Sequence, residues 1–470
     1  MFFIRRLWFT RHRHRPFISV AAGIVLLTML IVGFGYVWQG YYADTIVQPF
    51  FRRGNWAVIW NYATLTAILF RAYDCLHYGY LKRVHLVCNQ CIAMVIIHCI
   101  TYIQISIIGR KFLPAPPLIT LTVLDALLIL LWSAIIHRIY QRRYPPLRLV
   151  IVYSARHAAE LAMKMSDRQD KYMICESVDM AVGLQAVCEK LKGFDGVILC
   201  ELPAAGRNDL LEYCYAQGLR CYITPDVSDI LLRGAEEIRL FDTPLLLCRN
   251  AGLSTGEKTI KRISDVIISA MLMLLTLPLW LICAIAIRVE DGGSIIYRQQ
   301  RLTEGGKVFE MLKFRSMVPD AETMGQAVTA AEQDTRITKV GRWLRRFRLD
   351  ELPQLWNILK GDMSLVGPRP ERPQLAAQYT RFCPEFAFRL RVKAGLTGYA
   401  QVIGTYDTEP ADKLKMDLMY IEQYSLLLDI RILLMTVRTA ILPHRTNAAA
   451  RRAIQRTVQK ERRQRSHFKL

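Results

Sequence analysis

The chain has 470 residues, enough for two or three domains, and 62 Lys and Arg against 40 Asp and Glu leave it at +22. That excess admits nucleic acid or an anionic membrane as partner. No nucleic-acid-binding motif is present and the basic clusters flank apolar stretches, so nucleic acid is set aside in favour of lipid. The 12 cysteines are scattered, and the one close pair, Cys88 and Cys91, has no second pair to complete a zinc site.

In chain order, residues 17–37 carry no charge and are long enough to span a bilayer, and residues 56–70, 84–108 and 117–136 are further spans. The first stretch is longer than the apolar part of a signal peptide and lacks a clear cleavage site, so it is expected to stay as an anchor. A four-helix transmembrane bundle over residues 1–140 returns the chain to its starting side. Lys82 and Arg83 between the second and third spans, with Arg138, Arg142 and Arg143 after the fourth, place both ends of the bundle in the cytoplasm. Asp125 lies inside the fourth span, where an ionisable group is costly; an interhelical hydrogen bond or a neutral acid turned inward is expected.

Over residues 147–250, short β-rich runs ("LRLVIVY", "YMICESV", "DGVILCEL", "RCYITP") alternate with helical ones ("ARHAAELAMKM", "RNDLLEYCYAQGL"), the pattern of a parallel α/β domain. After the first strand, "YSARHAAEL" has no glycines for a dinucleotide turn, so a Rossmann-like scaffold without dinucleotide is expected.

The next apolar run, residues 264–287, contains Pro278, which removes a helix hydrogen bond and favours a kink. Basic residues flank both ends: Lys258, Lys261 and Arg262 before it, Arg288, Arg298 and Arg301 after it. Two arrangements compete: a fifth crossing, or a helix that dips into one leaflet at Pro278 and returns, its freed backbone group satisfied by Thr276 or neighbouring protein.

Between Tyr297 and Asp429, charged residues interleave with glycines and prolines. "TEGGKVF" lacks the first glycine and the Ser or Thr of a phosphate loop, so a hairpin turn at Gly305 and Gly306 is expected instead. In "RLDELPQLWNILKGDMSLVGPRPE", Asp350 and Glu351 are consecutive, so on a helix their side chains diverge by about 100° and can divide the work around one centre. One carboxylate can attack phosphorus while the other holds a divalent cation such as Mg²⁺. Alone, the pair reads better as helix N-terminal acids. Lys313, Arg315, Arg345, Arg346 and Arg369 exceed what two carboxylates need, which points to phosphate, and Pro368 and Pro370 stiffen the backbone around Arg369.

With "IKRISDVIIS", "YRQ", "LKFRSM", "DTRITKVGRWLRR", "GLTGYAQV" and "DLMYIEQYSLLLDI" in the same order, the chain resembles the bacterial sugar transferases, the large form of the monotopic phosphoglycosyl transferases. The resemblance implies a membrane α-helical bundle, a Rossmann-like α/β domain and a mainly α catalytic domain over residues 257–445 with a re-entrant membrane helix, then a basic tail at 446–470. It implies that Asp350 attacks the β-phosphate of a UDP-sugar and releases UMP, after which undecaprenyl phosphate takes up the hexose 1-phosphate. Glu351 would hold Mg²⁺, Arg369 would bind phosphate between Pro368 and Pro370, and Lys313, Arg315 and Arg345 would serve the same phosphates. Pro278 would be the re-entrant kink, and Lys261, Arg262 and Asp265 would anchor the helix start near the headgroups.

The implied setting is the cytoplasmic face of a bacterial inner membrane, as a homodimer that starts capsule, exopolysaccharide or O-antigen units. Two departures stand out: Arg348 where the family often has Ser or Thr, and Thr303 where Gly is common. Residues 321–332 and 404–409 are the candidates for sugar choice. The competing functions are a catalytically silent membrane scaffold and a glycosyltransferase that releases UDP.

Overall fold

The computed structural model describes residues 15–44, 52–154, 158–238, 242–248, 252–318, 336–404 and 408–441. The basic N-terminus, the tail at 446–470, residues 321–332 and part of 404–409 lie outside them. The chain divides into two compact units, Met1–Thr224 and Pro225–Leu470.

The first unit opens with four helices: α1 (Arg15–Val37, prolonged by a π turn at Trp38–Tyr42), α2 (Arg52–Ala72), α3 (Arg83–Ile108) and α4 (Pro116–Arg143). Ile18–Tyr42, Arg83–Ile108 and Pro116–Arg143 are long and apolar enough to cross a membrane, whereas α2, with Arg52, Arg53 and Arg71, is not among the candidates. It packs between α1 and α3. Val20, Ile24, Leu127 and Leu131 face outward, while polar side chains gather inside, as expected where lipid rather than water is the surroundings. There the Tyr62 hydroxyl lies 3.0 Å from His98 Nε2, His98 Nδ1 lies 2.7 Å from Thr122 Oγ1, and Asp125 Oδ2 stands 3.5 Å from His98. Asp125 is thus turned into the bundle, and its neighbour across the helices is a histidine.

After α4 the same unit forms a parallel sheet. The elements are β1 (Leu147–Tyr153), α5 (Ala158–Ser166), β2 (Tyr172–Asp179), α6 (Leu184–Leu191), β3 (Gly196–Cys200), α7 (Ala204–Gln217) and β4 (Arg220–Ile223), with strand order β2-β1-β3-β4. Successive β1 residues feed different cores. Val150 and Val152 pack with Val187, Leu191 and Leu210, while Leu149 and Ile151 pack with Ala158, so both faces are covered and the strand reads as one apolar run. The Arg168 guanidinium donates to the Tyr80 carbonyl at 2.6 Å and Lys82 pairs with Asp167 at 3.5 Å, which ties the sheet to the α2–α3 connection.

The second unit begins with α8 (Val227–Arg233), whose Ile230 is buried in that unit's core, and the hairpin β5 (Glu236–Ile238) and β6 (Leu245–Leu247). Then comes α9 (Thr255–Asp291), started by a Ser254/Glu257 capping box and stopped by Gly292 in the left-handed conformation. It is the fourth helix apolar and long enough to cross a membrane. Helical structure continues through Pro278, and Thr276 Oγ1 donates to the Leu272 carbonyl one turn back.

Next, β7 (Ile296–Leu302) and β8 (Val308–Phe314) form an antiparallel hairpin turned at Gly305 and Gly306, both at positive φ, as the sequence predicts. The remaining elements are α10 (Lys339–Arg346), α11 (Gln354–Lys360), β9 (Ser364–Val366), α12 (Pro373–Phe382), β10 (Gly395–Thr397), α13 (Tyr399–Ile403), α14 (Pro410–Glu422) and α15 (Leu426–Ile441). Leu355, Ile358, Leu365, Leu414, Leu418 and Ile432 make the main core, and α9 lays Ile268, Leu272 and Met273 on it. Further along α9, Cys283 and Ile287 join a smaller core with Phe314 and Leu344.

Candidate active site

The site grows from the turn between α10 and α11. Thr338 caps α10, its hydroxyl accepting from the Gly341 amide at 2.9 Å, and Glu290 at the end of α9 accepts from the Lys339 amide at 2.7 Å. After α10 the chain reverses at Arg348, which takes φ 55, a left-handed conformation uncommon outside glycine. Leu349–Glu351 then form one 3-10 turn, not the start of a regular helix, before Pro353 leads into α11. Asp350 is 8% exposed at this corner.

Two cations converge on the neighbouring carboxylate. Lys313 Nζ, near the end of β8, lies 3.6 Å from Glu351 Oε1, and Arg369 Nη2 lies 3.4 Å from the same oxygen. Burial pushes the Glu351 carboxyl up, but Lys313, Arg369 and Arg348 outweigh it and hold it at about 2. Asp350 moves the other way: burial, then the Glu351 charge, raise it, against the opposing pull of Lys313, Arg345 and Arg369. Burial lowers the Lys313 ammonium, and Arg369 adds to that, while Glu351 opposes. Adjacent acids are therefore driven apart: Glu351 stays ionised, and Asp350 is the more basic carboxylate.

Arg369 is carried on a loop that β9 and β10 place. The Gly367 amide donates to Thr397 and the Gly395 amide to Pro368, each at 2.9 Å. A Cβ on Gly395 would sit 2.1 Å from the Gly367 nitrogen, so the crossing requires glycine there. A cleft opens beside the loop, with Lys313, Glu351, Gln354, Arg369 and Arg301 on its walls.

Other expected residues are placed differently. Arg315 is paired with Asp291 at the end of α9. Arg345 Nε donates to Ser316 Oγ at 3.0 Å, and Arg346 lies over the rings of Trp343 and Phe347. Lys261, Arg262 and Asp265 all bind protein groups: Asp429 at 2.6 Å, the carbonyls of Ile358 and Leu359 at 2.5 and 2.7 Å, and the Leu365 amide at 3.1 Å. They fasten α9 to the second unit. Thr303 uses its hydroxyl to join Asp362, 2.8 Å away, to the Ala394 amide, 3.2 Å away, a link glycine could not make. Sequence reasoning counted Arg301 only among the basic flanks of the apolar run and passed over Arg389, Asp417 and Asp429; the last two were visible as acids inside the apolar helical run "KMDLMYIEQYSLLLDI".

Fold and site together define a membrane protein whose second unit sets two adjacent carboxylates beside converging cations. The profile of the family described as bacterial sugar transferase matches residues 256–443. The chain is 30% identical over 313 residues to an undecaprenyl-phosphate glucose phosphotransferase of Komagataeibacter xylinus, covering 63% of this chain and 59% of that protein. It is 40% identical over 185 residues, 39% of this chain and 44% of the relative, to a UDP-N-acetylgalactosamine-undecaprenyl-phosphate N-acetylgalactosaminephosphotransferase of Aeromonas hydrophila. It is 43% identical over 183 residues to a UDP-glucose:undecaprenyl-phosphate glucose-1-phosphate transferase of Caulobacter vibrioides, 38% of this chain and 68% of the relative. The chain spans about half the length of several of the curated relatives it matches. It belongs to the bacterial sugar transferase family.

Proposed function

We propose that the chain is a phosphoglycosyl transferase that moves a hexose 1-phosphate from a UDP-sugar to undecaprenyl phosphate. The observation that carries this reading is the buried Asp350 beside a carboxylate on which Lys313 and Arg369 both converge. An Asp350 oxygen attacks the β-phosphorus; the bond from that phosphorus to the bridging oxygen breaks, and UMP leaves with the electron pair. A phosphate oxygen of the lipid then attacks the same phosphorus, and Asp350 departs as carboxylate, leaving a diphosphate-linked sugar. Lys313 and Arg369 meet the charge on the diphosphate and on the developing UMP.

Among the described residues no group of three or more His, Cys, Asp or Glu could hold a metal. Mg²⁺ bound through one or two carboxylates and substrate phosphates needs no such group, and Glu351 with Asp350 beside it fits that donor set. When bound, the ion supplies neutralisation of phosphate charge.

The re-entrant form of α9 belongs to the same proposal. At about 1.5 Å per residue its 37 residues extend about 55 Å. Near its start Lys261, Arg262 and Asp265 bind the second unit, and near its end Glu290 caps α10 and Asp291 pairs with Arg315. The outward residues between, Leu274, Leu275, Leu281 and Ile282, are apolar. One compact unit thus holds both ends, which favours a helix that enters and leaves on one side, turning at Pro278. That side is the cytoplasmic face of the inner membrane, where UDP-sugars are; the Rossmann-like sheet and a homodimer complete the reading.

The test is UMP release by membrane-extracted protein with Mg²⁺ and undecaprenyl phosphate, over UDP-glucose, UDP-galactose and their N-acetylated forms. Release confined to one or two donors and lost in Asp350→Asn is expected. UDP in place of UMP would mean transfer of sugar alone; no nucleotide release from a folded chain would leave a scaffold.

A further inference from the structure

The loop that carries Arg369 is held through its carbonyls. Four consecutive ones each accept a hydrogen bond: Pro368 from the Gly395 amide (2.9 Å), Arg369 from Arg389 Nη2 (2.9 Å), Pro370 from Arg301 Nη1 (3.0 Å) and Glu371 from the Leu302 amide (3.0 Å). Two of the four donors are therefore arginine side chains from elsewhere in the unit. The prolines lack N–H groups, so carbonyls are the main handles the loop offers. The Arg369 side chain itself is 44% exposed and leans towards Glu351 at 3.4 Å, so its aim depends on where its backbone is held.

Arg389 is 4% exposed, and a carboxylate stands near each of its terminal nitrogens. Nη2 stands 2.8 Å from Asp417 Oδ2, Nη1 stands 3.5 Å from Glu371 Oε1, and the guanidinium lies 4.8 Å from the centre of the Phe386 ring. Asp417, on α14, is 1% exposed. Burying a pair of opposite charges this deeply gains little stability over an apolar pair, because desolvation takes back what attraction gives. Its product here is geometry: a planar cation fixed at the back of the phosphate loop.

We infer that Arg389, braced by Asp417, is a positioning residue that fixes the Arg369 backbone and so aims the Arg369 guanidinium at the substrate phosphates. The inference rests on the phosphate-binding reading of Arg369. Neither Arg389 nor Asp417 touches Asp350 or Glu351 in the contacts described, so any effect on the reaction passes through the loop.

Arg389→Met alone would leave Asp417 as an unpaired buried charge and could unfold the chain. The informative variant is Arg389→Met with Asp417→Leu, which removes both charges, compared with Arg389→Lys and with Arg369→Ala, all assayed for UMP release and thermal unfolding in detergent. The double variant is expected to unfold near the wild-type temperature yet turn over about a hundredfold slower, the order of loss for a misplaced binding group. Arg389→Lys, which keeps a charge and a donor for the carbonyl, should recover part of that loss. Adding Arg369→Ala to the double variant should cost nothing more, since the two act through one guanidinium. A folded double variant with wild-type turnover, or losses that multiply, overturns the positioning role. If Arg369→Ala by itself leaves UMP release untouched, the phosphate-binding reading fails, and the inference with it.

Discussion

Lys261 on α9 and Asp429 on α15 meet at 2.6 Å, both almost wholly buried, with the Tyr420 hydroxyl donating to the other Asp429 oxygen at 2.8 Å. Burial raises the Asp429 carboxyl while Lys261 opposes it. Lys261→Met would strand that carboxylate and is expected to destabilise the second unit by about 3–5 kcal/mol. Lys261→Met with Asp429→Leu should cost much less than the sum of the single changes. Thermal unfolding of the three variants in detergent checks both statements, and additive losses would contradict the pairing.

The cations around Glu351 hold its carboxyl well below the usual carboxylate range, so neutralising it changes what those cations face. Glu351→Gln is expected to slow UMP release about a hundredfold and to raise the Mg²⁺ concentration for half-maximal rate. Chelation should abolish wild-type release and added Mg²⁺ restore it. A Mg²⁺ titration of wild type beside Glu351→Gln reads all three; an unchanged half-saturation would remove Glu351 as the ligand.

What the sequence revealed follows from how local each signal is. The β1 run "LRLVIVY" has the apolar content of a strand covered on both faces, and the glycine pair at 305 and 306 marks the β7–β8 hairpin, so both were legible. Asp350, Glu351 and Arg369 stood out because carboxylates and cations crowd one short segment. Arg389 did not, since its role comes from a carbonyl 20 residues back and an acid on another helix. For Arg315 and Arg345 the sequence shows the charge but not the contacts, which are with Asp291 and Ser316 and depend on tertiary placement. Asp125 had no visible partner because His98 lies on a different helix.

Asp417 supplies a pH dependence of stability. Burial pushes its carboxyl up from 3.8 to about 6, with Glu371 adding to the rise and Arg389 opposing it. A carboxyl that binds its proton more tightly in the folded state favours folding below its unfolded value, and that contribution fades as pH rises through the folded one. A shift of this size corresponds to about 3 kcal/mol. The stability of wild type minus that of Asp417→Asn should therefore be highest near pH 4 and decline until pH passes 6. Unfolding temperatures of both proteins across that range test it; a difference that rises with pH would reverse the sign.

The path of α9 can be read from its ends. Gly256 in the first turn has open space around it, and Val289 in the last is 80% exposed, so cysteine fits at both without disturbing a core. If the helix enters and leaves on the cytoplasmic side, a membrane-impermeant maleimide added to intact cells should label neither Gly256→Cys nor Val289→Cys above the parent chain. In inside-out vesicles it should label both. A helix that crosses would expose one position to each preparation. Pro278 is the residue that withholds a backbone donor at mid-helix, so Pro278→Leu restores a hydrogen bond and favours a straight rod. In that variant the two labelled ends should begin to part, one becoming reachable from outside the cell.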